Sequence, residues 1–95
     1  MTGTRTAVTV VIEGEVQGVG FRFWTVQLAT ALGLDGWVRN RYDGTVEALF
    51  IGPAPAVDAM IAACYRGPPH ATVRDLRITA AAPTPVRGFS HLPTL

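Results

Sequence analysis

Residues 6–33 read TAVTVVIEGEVQGVGFRFWTVQLATALG, and a change of periodicity inside this stretch decides the fold. From Thr6 to Glu13 β-branched residues alternate, with Val8, Val10 and Ile12 on one face and Thr9 and Val11 on the other, which predicts a strand. From Phe21 the period lengthens. Phe21, Trp24, Leu28, Ala31 and Leu32 recur at helical spacing, and Gly33 stands where a left-handed cap would end a helix near Leu32. Between strand and helix lies GEVQGVGFR, residues 14–22, with three glycines. Such a corner can turn successive backbone N–H groups inward as an anion nest, and the helix N-terminus beyond it adds free donors and its dipole. Arg22 falls in the first helical turn, where side chains lean back toward the N-terminus, so its planar fork of donors can fold over an anion in the loop. The same residues would also serve as a plain tight corner with Arg22 in solvent; taken alone, the corner leaves both readings open.

Two better-known phosphate patterns fail. A P-loop requires Gly-Lys-Ser/Thr, whereas Gly20 is followed by Phe21 and Arg22; the dinucleotide fingerprint would need its third glycine at Phe23.

Working outward, Trp37–Asn40 and Thr45–Ile51 read as two strands joined by a turn at Arg41-Tyr42-Asp43-Gly44, with Asp43 as a turn residue. Gly52-Pro53 breaks the chain, and Pro53 or Pro55 suits a first helical turn. Val57, Met60, Ile61, Cys64 and Tyr65 then repeat at helical spacing as far as Arg66-Gly67. Past the Gly67-Pro68-Pro69 corner, Thr72–Thr79 resumes as a strand with Leu76 and Ile78 on one side. The remainder is expected to be loop with at most a short edge strand near Phe89. The order βαββαβ predicts an α+β, ferredoxin-like split-βαβ sandwich: an antiparallel sheet with two helices on one face, strands one and three central, two beside three, four beside one. Strands one and two then run the same way, which brings the loop after Glu13 near Asn40.

At 95 residues, 48% hydrophobic and 16% charged, the chain has the makeup of one globular domain, residues 1–95, with a core over about 6–80 and a tail over 81–95. A net charge of +1, with every basic residue an arginine and none clustered, gives no broad field for nucleic acid. The single cysteine, Cys64, precludes an intrachain disulfide and lies on the apolar stripe of the second helix, which suits a buried, inert thiol. The MTGT start shows no targeting signal, and no apolar run reaches membrane-spanning length, so the expected location is cytoplasmic, without a membrane partner. His70 and His91 sit in unrelated loops without companion ligands, and neither a metal nor another cofactor is expected.

GEVQGVGFR and GWVRNRYDGTVEALFIG, residues 36–52, together resemble the two signature motifs of the acylphosphatase family. Gly14, Val16, Gln17, Gly18, Val19, Phe21 and Arg22 match the first, and Gly36, Trp37, Asn40, Gly44, Val46 and Gly52 the second, in the family's order. The resemblance implies hydrolysis of small acyl phosphates to carboxylate and inorganic phosphate. It implies that Arg22 binds the phosphoryl group, that Asn40 orients the attacking water, and that backbone N–H groups of Glu15, Val16, Gln17, Gly18, Val19 and Gly20 complete the cradle. The substrate's own phosphate oxygen would take the proton. Inorganic phosphate would be product and inhibitor, the acyl end would be loosely specified, and the protein would be monomeric.

Pro93 in GFSHLPTL departs from the family's closing strand. Arg39 and Arg41 flank Asn40 either as anion attractors or as solvated side chains. Trp24 is expected in the core. The competing reading is a non-catalytic phosphate- or nucleic-acid-binding module of the same architecture. An RNA-binding sheet needs exposed aromatics among basic residues, and in the two central strands only Phe50 is aromatic.

Overall fold

The computed structural model describes residues 5–95. The MTGT start, and its reading as free of a targeting signal, lies outside the described residues. Strand β1 spans Arg5–Glu15, helix α1 Phe21–Ala31, β2 Asp35–Asn40, β3 Val46–Pro53, α2 Ala54–Cys64, β4 Thr72–Ala81 and β5 Phe89–His91. The sheet order is β4-β1-β3-β2-β5. The first four strands are antiparallel neighbours, as the split-βαβ reading requires. β5 departs from it by lying parallel to β2. The chain leaves β4 at one edge and must cross to the opposite edge, so it enters beside β2 from that strand's N-terminal side.

Alternation in β1 sends Val10 and Ile12 to full burial under the helices. They meet Ala48 and Val46 of β3, and Phe50 is fully buried on the same face. On α1 the fully covered line is Phe21, Thr25 and Ala29, not the stripe read from apolar residues alone. Trp24, Leu28 and Leu32 pack against the core only in part, and Ala31 is exposed. Small side chains let the helix approach the sheet, and the buried Thr25 hydroxyl is satisfied by donating to the Phe21 carbonyl at 2.8 Å. The helix ends at Gly33, φ 72°, with Gly33 N–H bonded to Thr30 O and Leu34 N–H to Ala29 O, the paired bonds of a Schellman cap.

Val57, Met60 and Cys64 are the buried line of α2, while Tyr65, past the last helical residue, is 55% exposed. Burial pushes the Cys64 thiol up to about 12, which keeps it protonated and inert. On the edge strand β4 only Leu76 is buried; Ile78 shares its face but lies 42% exposed at the rim of the core layer. The sheet's other face holds a smaller cluster of Ala7, Leu49 and Ile51, partly covered by Trp37, Ala81 and Val86. No helix among the described residues is long and apolar enough to cross a membrane.

Asp35 at the start of β2 ties three segments together. It accepts from Arg5 at 2.6 Å and from the Gly88 N–H at 2.8 Å. These bonds, the Arg5 side chain first, hold its carboxyl below the ordinary value of 3.8. A carboxylate depressed on folding stabilises above its unfolded pKa, and that contribution is lost as pH falls through the folded value. Asp35→Asn is therefore expected to lower the melting temperature at pH 7. An exposed pair contributes about 1 kcal/mol or less, so the loss is at most roughly 4–8 °C. In thermal scans across pH, the gap between variant and parent should hold above about pH 3.8 and narrow as pH falls below it; a gap that grew as pH fell would assign the effect to packing.

Candidate active site

The C-terminal ends of β1 and β2 lie at one edge of the sheet with β3 between them. The residues that follow each strand therefore face one another across the start of β3. Glu15 belongs to β1, paired with Thr72 of β4, and is not part of the loop as the sequence suggested. The register shifts at Glu13/Gly14, where Arg74 of β4 is the extra residue between Asp75 and Val73. Gly14 is there for interstrand space, since a Cβ would overlap the Thr72 carbonyl oxygen. The loop proper is Val16–Gly20. Gly18 and Gly20 take φ of 74° and 78°, and nothing nearby would obstruct a Cβ at either, so left-handed backbone is what requires glycine here.

The loop is anchored from both sides. Val16 is buried and Val19 packs in part against the core. Gln17 turns its side-chain amide away to the β2–β3 turn, donating to Arg41 O at 2.7 Å and Thr45 O at 2.9 Å. Gly20 is the N-cap of α1 without a side-chain cap, and the first turn carries no acid. The first intrahelical bond runs from Trp24 N–H to Gly20 O, so the N–H groups ahead of it have no helical partner.

A cavity of about 360 Å³ opens at this corner, lined by Val16, Gly18, Gly20, Phe21, Arg22, Phe23, Val26, Asn40 and His91. The structure thus brings Arg22, Asn40, Val16, Gly18 and Gly20 to one place. Glu15, Gln17 and Val19 do not line it. Asn40 ends β2 opposite Val46, and its carbonyl accepts from Leu95 N–H at 3.1 Å, while Tyr42 N–H donates to Leu95 O at 2.9 Å. Backbone bonds on both sides hold the residue whatever its side chain does.

The charge pattern separates the arginines. Arg22 is half-buried and has no carboxylate partner among the described residues. Arg39 pairs with Glu47 at 2.9 Å and lies 4.7 Å above the Trp37 ring; Arg41 pairs with Glu47 at 3.5 Å and Asp43 at 3.6 Å. Strand alternation turns Arg39 to the face opposite Asn40, so the two flanking arginines are neither free attractors nor plain solvated groups. Glu13 and Glu15 reach Arg77 and Arg74 of β4, at 2.9 and 4.0 Å, and no acid among the described residues lines the cavity.

Four lining residues escaped the sequence reading. Phe21 reads from the sequence as part of the helical stripe and of the first motif, without a place in a cavity. Phe23 and Val26 carried a signal in their spacing from Arg22, since Val26 lies one turn on. His91 carried none short of the β5 register. Phe89 stacks on Phe50 at 5.6 Å, and His91, two residues along the same strand, shares that face and so meets the cavity beside α1. Among the described residues no three His, Cys, Asp or Glu side chains cluster as metal ligands.

Fold and site together define a small α+β sandwich protein whose cavity is lined by a glycine loop, a helix N-terminus and an arginine without a carboxylate partner among the described residues. The sequence profile of the acylphosphatase family matches residues 8–91. An acylphosphatase of Rhodospirillum rubrum is 61% identical over 84 residues, covering 88% of this chain and 92% of that one. The crystal structure of acylphosphatase from Bacillus subtilis superposes with a TM-score of 0.89 at 35% identity, covering 92% of this chain and 98% of that one. Full-length HypF in its phosphate- and nucleotide-bound form contains the same fold, with a TM-score of 0.91 at 23% identity over 99% of this chain but only 13% of that much longer one. The chain belongs to the acylphosphatase family, and it is an enzyme of acyl phosphate hydrolysis.

Proposed function

We propose that the backbone of Val16–Gly20 and the Arg22 guanidinium hold the phosphoryl group of a small acyl phosphate while the Asn40 amide fixes the attacking water. The observation that carries this reading is the arrangement, among the described residues, of an arginine without an acidic partner, two left-handed glycines, an uncapped helix N-terminus and an asparagine amide around one cavity free of carboxylates. Each part answers a need of the reaction. The acyl carboxylate is a good leaving group, so catalysis consists mainly of placing water in line and stabilising charge on the equatorial oxygens. Backbone N–H groups and a guanidinium supply that stabilisation without added negative charge. An amide offers both a donor and an acceptor to the water, where an aspartate would repel the phosphoryl oxygens. Water attacks phosphorus, the bond from phosphorus to the acyl oxygen breaks, carboxylate departs, and the proton passes to a phosphoryl oxygen. Inorganic phosphate, sharing the recognised end, competes with substrate.

The nucleic-acid-binding alternative loses its support on the sheet. Phe50 is buried beneath the helices, and Trp37 on the other face lies against Leu49 and Ile51 under Arg39.

Purified protein is expected to release phosphate from benzoyl phosphate with a chelator present, with competitive inhibition by millimolar inorganic phosphate. Folded protein that gave no turnover above background, or a rate indifferent to phosphate, would remove this reading of the cavity.

A further inference from the structure

Acyl phosphates are reagents as well as substrates. Each is a mixed anhydride, and its acyl carbon is open to amines and thiolates. A lysine amine attacks the carbonyl, the bond from the acyl carbon to the bridging oxygen breaks, phosphate leaves with the electron pair, and the nitrogen gives its proton to water and becomes an amide. The product has lost a positive charge and any ion pair built on it.

Three features of the chain bear on this side reaction. All eight of its Lys and Arg residues are arginines. They fill places that lysine commonly fills: Arg5 pairs with Asp35 at 2.6 Å, Arg77 with Glu13 at 2.9 Å, and Arg66, Arg74 and Arg87 are exposed. A guanidinium keeps its proton and delocalises its charge, so its nucleophilic free base is scarcer than that of an ammonium by about two to three powers of ten. Cys64, the one thiol, is fully buried, and burial pushes it up to about 12, so no thiolate is offered to a reagent. Among the described residues the active-site cavity has no Lys, Cys, Ser, Thr or Tyr in its lining. His91 is there, but an acyl group on an imidazole is soon cleaved by water.

We propose that this enzyme is refractory to acylation by its own substrates, and that its arginine-only set of cations makes it so. The inference rests on the activity of the family and not on the roles given to Arg22 and Asn40. A chain so built keeps its ion pairs, Arg5 with Asp35 among them, at acyl phosphate concentrations that neutralise surface lysines.

The test holds acetyl phosphate at millimolar concentration by repeated addition at mildly alkaline pH, counts acetyl groups by intact mass and places them by peptide mapping. The parent is compared with a variant carrying Arg66→Lys, Arg74→Lys and Arg87→Lys, exposed positions outside the active-site cavity. The parent is expected to take up one acetyl group at most, on the α-amine of its first residue. The variant should be acetylated at its new lysines at about 10² times the rate of any arginine or more. A second variant, Arg5→Lys, should lose its tie to Asp35 on acetylation, read as a fall in melting temperature that the treated parent does not show. Stable acetyl groups on Cys64, a histidine or a hydroxyl of the parent would overturn the proposal. So would lysine variants that stay as unmodified as the parent, since arginine would then not be what protects the chain. Counting adducts needs no turnover, so its outcome stands apart from that of the phosphate-release assay.

Discussion

Arg22→Ala protein is expected to fold normally and to lose both phosphate binding and turnover. Three features of the residue argue for so large an effect. Among the described residues it is the one arginine lining the cavity, it has no carboxylate partner, and no acid shares the lining. With no counter-ion among the described residues to share it, its charge is expected to act on a bound anion. Removing a guanidinium that stabilises phosphoryl-transfer charge typically lowers turnover by about 10³ or more, roughly 4 kcal/mol. Alanine is the best helix former, and breaking no ion pair leaves nothing unpaired behind, so the first turn of α1 should persist. Calorimetric titration with inorganic phosphate and steady-state kinetics, after circular dichroism has shown the variant folded, measure the outcome. Normal phosphate affinity would take the phosphoryl group away from Arg22.

Asn40→Ala should fail differently. The loop, the helix N-terminus and Arg22 remain, so phosphate should bind nearly as in the parent, while the attacking water loses its guide. Loss of one preorganised hydrogen-bonding group at a reaction centre lowers kcat by about 10²–10³, roughly 2.7–4 kcal/mol. The structure gives this substitution a clean background, because the bonds to Leu95 that hold the end of β2 come from the backbone of Asn40 and Tyr42. Near-parental kcat would assign the water to another group.

The contrast between these two residues also explains what the sequence made legible. Arg22 could be argued to the site from local pattern alone: a strand period, a glycine corner, then a helical period that starts within a residue of it. Asn40 needed the topology, because only the parallel course of β1 and β2 on either side of β3 brings it to the loop, and its role came from the family resemblance. Features that depended on a partner's identity stayed hidden. Gly14 reads as one more loop glycine until β4 is seen crossing against it at Thr72. Arg39 and Arg41 read equally as attractors or as solvated side chains until Glu47 is seen opposite Arg39 in β3. His91 reads as a loop residue because Pro93 argues against a closing strand. The strand forms all the same, since at a sheet edge three residues suffice and the proline falls after them.

Placing β3 between the two halves of the site ties function to the order of folding. The loop and Arg22 follow β1, Asn40 ends β2, and these strands do not pair with each other; each is held by β3, Val10 against Ala48 and Val38 against Ala48 on the other side. The hairpin of β2 and β3 is local, whereas docking β1 onto β3 joins distant parts of the chain and costs more loop-closure entropy. A chain with the hairpin formed and β1 undocked has all the site's residues and no site. Gln17, whose amide spans from the loop to both Arg41 and Thr45, is the bolt that engages only when docking is complete. The site is therefore complete only in a chain whose β1 and β2 are both seated on β3, and neither half of the fold carries it alone.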